Sequence, residues 1–142
     1  MPTPSMEDYL EKIYLINEQK GYARATDVAS SLDVLPSSVT KMMQKLDEKG
    51  LGVYEKYRGF ILTPKGIKIA KDIAYKHHIL EEFFRVLEIE SDNAYNEIEG
   101  LEHHIGKEMA ISIASLVKFF EENPGIKASY LKYRQVMEKD ET

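Results

Sequence analysis

The chain has 142 residues and a formal net charge of −5, from 19 Lys+Arg against 24 Asp+Glu, with 43% hydrophobic residues, no Cys and no Trp. That length suits one domain or two small lobes. The apolar fraction excludes a disordered chain, and the absence of Cys excludes a disulfide scaffold, a thiolate zinc site, an iron–sulfur cluster and a cysteine nucleophile. No apolar run approaches the ~20 residues that span a bilayer. The opening MPTPSMEDYLEKIY lacks the basic and apolar regions of a secretory signal, so the expectation is a soluble cytoplasmic protein with no membrane partner.

Met6, Tyr9, Leu10, Ile13, Tyr14 and Ile16 recur at helical spacing, which predicts a helix over Ser5–Gln19 with Ser5 as its cap and Gly21 beyond its end. Thr26 reads as the cap of a short helix, Asp27–Leu32. After the turn Asp33-Val34-Leu35, Pro36 suits the first turn of a third helix, PSSVTKMMQKLDEKG, with Val39, Met42, Met43 and Leu46 inward and Gly50 as its stop. A short helix, a tight turn and a second helix make a helix-turn-helix. LGVYEKYRGFILT then reads as a two-stranded hairpin, or wing. Thr63-Pro64 opens a long helix to about Ile89, followed by helices at about Ala94–Ile105, Lys107–Glu122 and Ile126–Met137. The fold class expected is mainly α: a winged helix-turn-helix over residues 1–71 and a helical domain over 72–142.

The charge divides along the same lines. Residues 20–71 hold ten Lys/Arg and five Asp/Glu, a net +5, which leaves −10 for the rest of the chain. A helix fits the major groove, and Ser, Thr, Gln and Lys address base edges and phosphates. Pro36, Ser37, Ser38, Thr40, Lys41, Gln44 and Lys45 sit on or near the outer face of the second helix of the motif, and Tyr57 and Arg58 at the wing tip, beside Lys56. Together they are the candidate contacts to double-stranded DNA.

In the acidic part and on the first helix a different pattern recurs. Asp8 and Glu11 are three apart, and Glu99, Glu102 and His103 are spaced i, i+3, i+4, so each set shares a helix face. His77 lies on the long helix between them. Clustered carboxylates repel unless protonated or bridged by a cation. Carboxylates with imidazole form a hard donor set, suited to Mn²⁺ or Fe²⁺.

PSMEDYLEKIY, PSSVTKMMQKLDEKGL, VYEKYRGFILTPKG, YKHHILEEFF and EIEGLEHHI resemble the diphtheria toxin repressor family of metal-dependent transcriptional regulators, in particular its manganese transport regulator branch. The resemblance implies a homodimer with a winged helix-turn-helix and a helical dimerisation domain. It also implies that Asp8, Glu11, His77, Glu99, Glu102 and His103 are metal ligands, for a cluster of two Mn²⁺ per subunit. The iron-responsive branch places Met where this chain has Asp8 and Cys where it has Glu99, and it carries a third, SH3-like domain for which the sequence leaves no room. The implied function is a manganese-activated repressor of uptake genes, in which the metal ties the two lobes together and sets recognition-helix spacing for a near-palindromic operator. Dimerisation is expected to use the helix at Ala94–Ile105, with apolar help from Leu80, Phe83, Phe84 and Leu87; the alternative reading makes these four intramolecular core. Two alternatives stand beside this reading. One is a winged-helix regulator that senses iron or a small organic ligand. The other is a di-metal carboxylate enzyme, against which no His has Glu three residues before it and no catalytic motif is present.

Overall fold

The computed structural model describes residues 2–140. The elements run α1 (Pro4–Lys20), α2 (Ala25–Leu32), α3 (Pro36–Glu48), β1 (Gly52–Glu55), β2 (Gly59–Leu62), α4 (Pro64–Val86), α5 (Ala94–Leu101), α6 (Lys107–Glu122) and α7 (Pro124–Asp140). The chain forms two compact units, residues 1–74 and 75–142.

In the first unit, Leu10, Ile13, Val28, Val39, Leu46, Leu51 and Phe60 make a closed core, each at most 2% exposed. Each such side chain contributes about 1.5–3 kcal/mol by leaving water. The caps differ from the sequence expectation. Thr3, not Ser5, caps α1: its Oγ1 accepts the Met6 N–H at 3.2 Å, and Pro4 takes the first helical position, where a missing N–H costs nothing. α2 begins at Ala25 rather than Asp27, and Thr26 is not its cap. Asp27 accepts the Arg24 N–H at 3.0 Å from the third helical position, and the Lys20 ammonium pairs with the same carboxylate at 3.0 Å.

The hairpin pairs antiparallel, with Gly52 opposite Leu62 and Glu55 opposite Gly59. It is not only a hairpin. Ala23 forms an isolated bridge on the other edge of β2, donating to the Phe60 carbonyl at 2.9 Å and accepting the Phe60 N–H at 2.8 Å. Gly59 permits this approach, because at its φ of +145° a Cβ would meet the Ala23 carbonyl oxygen at 2.8 Å. Asn17 ties α1 to the same strand. Its amide donates to the Phe60 carbonyl at 3.1 Å and accepts the Leu62 N–H at 2.9 Å.

Thr63 caps α4 as expected, accepting the Gly66 N–H at 3.2 Å while its hydroxyl donates to the Gly50 carbonyl at 2.7 Å. Gly66 is required there: a Cβ would lie 2.0 Å from the Leu51 carbonyl oxygen. α4 stops at Val86, short of Ile89. Glu88 adopts a left-handed φ of 52°, and the Glu88 and Ile89 N–H groups turn back to the Arg85 and Phe84 carbonyls, a Schellman ending without glycine.

In the second unit, Ile79, Leu80, Phe84, Ile98, Ile105 and Ala110 form one cluster, and Val86, Leu87, Val117 and Phe120 another. Leu80, Phe84 and Leu87 are buried within the chain, which favours the intramolecular reading for these three, and Phe83 is half-buried against both clusters. α5 ends at Leu101, not Ile105; Glu102, still helical in φ and ψ, is its C-cap, and His103 lies in the following turn. α7 is longer than expected. Pro124 opens it directly after Asn123, and it extends to Asp140 instead of Met137. Its Arg134 donates to the Leu87 carbonyl, and to the Glu88 carbonyl at 3.1 Å, where α4 has run out of partners.

Candidate metal centre and nucleic-acid interface

Every α3 residue expected to face DNA is exposed: Pro36, Ser37, Ser38, Thr40, Lys41, Gln44 and Lys45. Val39, Met43 and Leu46 point the opposite way into the core, which fixes the rotation of the helix. The Thr40 hydroxyl donates to the Pro36 carbonyl at 3.1 Å. At the wing tip Tyr57 is 87% exposed with a positive φ of 69°, the Lys56 ammonium lies 5.1 Å from its ring centre, and Arg58 pairs with Glu55 at 3.3 Å. A cleft of about 690 Å³ opens between the start of α2, α3 and the hairpin, lined among others by Arg24, Thr26, Thr40, Gln44, Tyr54 and Arg58. Arg24, Thr26 and Tyr54 are not among the residues that the sequence pattern places against DNA. Their basic and hydroxyl side chains carry the signal, but only folding brings them beside α3.

Asp8 and Glu11 are half-buried, one turn apart on α1. In the second unit, the fold gathers four of the candidate ligands. Nδ1 of His77 on α4 lies 2.6 Å from Oε2 of Glu102 and 3.4 Å from Oε1 of Glu99. Nε2 of His103 lies 3.5 Å from Oε1 of Glu102. Ligand atoms of Glu99, Glu102 and His103 all fall within 4.8 Å of one another. Glu102 has no exposed surface, and the His103 side chain only 5%. Burial pushes the His77 pKa down, but the hydrogen bond its ring donates to Glu102 and the charges of Glu102, Glu81 and Glu99 outweigh it and hold it above the ordinary 6.5. Glu81, one turn further along α4, lies 2.8 Å from Nε2 of His77. The spacing His77-x-x-x-Glu81 was visible in the sequence but had no partner to give it meaning.

A buried carboxylate beside a second one and two imidazoles is costly unless cations or protons balance it. The donors are oxygen and imidazole nitrogen, with no cysteine in the chain, so the set fits a hard or borderline divalent ion. A winged helix-turn-helix with a basic reading face, joined on one chain to such a donor set, defines a metal-dependent DNA-binding regulator.

The comparisons agree. Residues 1–60 match the family model described as iron dependent repressor, N-terminal DNA binding domain, and residues 63–129 match its metal binding and dimerisation domain. The chain is 55% identical over 126 residues to the HTH-type transcriptional regulator MntR of Lysinibacillus sphaericus (strain C3-41), covering 89% of this chain and 91% of that protein. It is 54% identical over 123 residues to the MntR of Bacillus pumilus (strain SAFR-032), covering 87% and 85%. Among solved structures it is similar to the manganese regulator SloR (TM-score 0.72, 28% identity) and the metal-dependent transcriptional regulator MtsR (TM-score 0.73, 29% identity), each over 83% of this chain. It spans about half the length of those two chains (55%). The chain belongs to the iron-dependent (diphtheria toxin) repressor family of transcriptional regulators. No helix among the described residues is long and apolar enough to cross a membrane.

Proposed function

We propose that this chain is a manganese-activated transcriptional repressor that acts in the cytoplasm as a homodimer on the operators of manganese-uptake genes. The observation that carries the reading is the convergence of Glu99, His103 and His77 around the buried Glu102 carboxylate, a donor set without sulfur. Asp8, Glu11, His77, Glu99, Glu102 and His103 hold Mn²⁺, two ions per subunit. When bound, the ions supply the positive charge that these carboxylates need. Asp8 and Glu11 lie on α1, and α1 is the helix whose Asn17 is hydrogen-bonded to β2 of the wing. Fixing the face of α1 therefore bears on the element that presents Tyr57 and Arg58. Pro36, Ser37, Ser38, Thr40, Lys41, Gln44 and Lys45 read the major groove from α3. Apolar side chains left exposed in the second unit, Met109 and Leu116 on α6 and Leu101 at the end of α5, suit a contact between copies.

The relatives support this: two are transcriptional regulators called MntR, and SloR is a manganese regulator. The test is operator binding titrated in parallel with Mn²⁺, Fe²⁺, Zn²⁺ and Co²⁺. The reading expects Mn²⁺ to activate at the lowest relative occupancy cost and Zn²⁺ to fall short. An equal response to Zn²⁺ removes the manganese assignment, and binding independent of any metal removes the coupling.

A further inference from the structure

Four helices of this chain begin with proline: α1 at Pro4, α3 at Pro36, α4 at Pro64 and α7 at Pro124. The residue before it is Thr3, Thr63 or Asn123 in three of them, types whose side-chain oxygen can cap a helix, and Leu35 in the fourth. Thr3 and Thr63 do cap, each accepting an N–H three residues on at 3.2 Å. Leu35 makes no side-chain cap. Its carbonyl alone serves the helix, accepting the Ser38 N–H at 3.0 Å and the Val39 N–H at 3.2 Å. Leucine is among the poorest residues for this position. Nor does it gain by burial: at 70% exposure, Leu35 is the most exposed large aliphatic side chain among the described residues. A position that gives up a cap and leaves leucine in water breaks two local rules at once, and such breaks concentrate at functional sites.

Its surroundings indicate the partner. Pro36, Ser37, Ser38, Thr40 and Lys41 follow it and are all exposed, on the stretch of the chain that carries a net +5. Leu35 falls within residues 1–60, which match the DNA-binding domain, and outside residues 63–129, which match the dimerisation domain. Both facts favour DNA over a second copy of the chain. The N-terminal residues of a recognition helix are the ones that approach base edges. The apolar mark in the major groove is the C5-methyl of thymine, where cytosine carries only hydrogen. Resting on the reading above that α3 enters the major groove, we propose that Leu35 is a specificity-determining residue that packs on a thymine C5-methyl in each half-site of the operator. The hydroxyl, amide and ammonium groups of Ser37, Ser38, Gln44 and Lys41 cannot supply this discrimination, because a methyl group neither donates nor accepts a hydrogen bond.

The probe is a duplex selected from a random-sequence pool by the full chain in the presence of Mn²⁺. Each thymine is then replaced in turn by deoxyuridine, symmetrically in both half-sites, which removes the methyl and keeps the base pairing. Wild type, Leu35→Asn, Leu35→Ser and Gln44→Ala are titrated against this set by fluorescence anisotropy, and urea unfolding is followed without DNA. The expected result is one thymine position at which deoxyuridine weakens wild-type binding by about 4-fold per half-site. Leu35→Asn and Leu35→Ser bind the unmodified duplex more weakly and lose the sensitivity at that position, whereas Gln44→Ala keeps it. Both Leu35 variants unfold at a urea midpoint no lower than wild type, since each supplies the missing cap. Wild type indifferent to every thymine methyl overturns the proposal, as does undiminished methyl sensitivity in the Leu35 variants. Lost sensitivity together with a lower urea midpoint in both variants makes Leu35 a structural residue and overturns it as well. If the Leu35 variants bind like wild type while Gln44→Ala does not, the proposal falls and the major-groove reading of α3 stands; if all three variants bind like wild type, both fall.

Discussion

Nδ1 of His77 lies 2.6 Å from Oε2 of Glu102, a carboxylate with no exposed surface. Burial alone would hold His77 below 6.5, so its raised pKa depends on Glu102 first and on Glu81 and Glu99 after it. A folded-state pKa above the unfolded value means that His77 contributes stability to the metal-free protein below pH 6.5 and loses it as pH rises through the folded value. In Glu102→Ala the His77 midpoint, followed by NMR in metal-free protein, is expected to fall. An unchanged midpoint would show that Glu102 is not the group holding the proton.

Asn17 connects α1 to the wing through the Phe60 carbonyl and the Leu62 N–H. Asn17→Ala leaves the Leu62 N–H without this partner, at a cost of about 1–3 kcal/mol. Urea unfolding measures the loss, and faster hydrogen exchange at Leu62 locates it. A loss near zero with unchanged exchange would mean that α1 does not hold the strand.

Asp27 titrates below its usual 3.8, first because the Arg24 N–H donates to it and then because Lys20 pairs with it. A depressed folded value contributes stability that is present above pH 3.8 and lost as pH falls through the folded value. Wild type is therefore expected to exceed Asp27→Asn in stability near neutral pH, with the gap closing on acidification. Unfolding curves at a series of pH values test this, and a gap independent of pH contradicts it.

Lys41 and Gln44 are both exposed on α3, but their chemistry predicts different losses. Lys41→Ala removes a charge suited to phosphate and should flatten the salt dependence of operator binding by a slope of about 0.9, alike on all sequences. Gln44→Ala should cost about 1–3 kcal/mol on the operator alone and relax preference at one base pair. Gel-shift titrations at several salt concentrations, on specific and unrelated DNA, separate the two.

Much of this architecture is legible in periodicity and punctuation. Pro36, Gly50 and Thr63-Pro64 mark their boundaries because each acts locally, through its own backbone or, for Thr63, through a hydroxyl that caps an N–H three residues on, and α6 has the expected bounds. What stays hidden depends on partners distant in sequence. The Ala23 bridge has no strand pattern, since a single residue pairs with β2. The end of α4 falls at Glu88, which takes a left-handed conformation that normally announces itself as glycine. The full extent of α7 was obscured by Asn123-Pro124-Gly125, which reads as a long break although Pro124 suits the first turn of a helix. At the site, helical spacing groups Glu99 with Glu102 and His103, but the nearness of His77 is a tertiary fact. Leu80, Phe84 and Leu87 illustrate the same limit: their apolar character suits an interface or a core alike, and only packing shows that the chain buries them against itself.

The most direct test of the account is Mn²⁺ affinity measured by calorimetry with and without saturating operator DNA. Linkage requires each ligand to tighten the other by the same factor. The account predicts that operator DNA strengthens Mn²⁺ binding by the factor by which Mn²⁺ strengthens operator binding. Equal Mn²⁺ affinity in both measurements, under conditions where Mn²⁺ activates DNA binding, would contradict it.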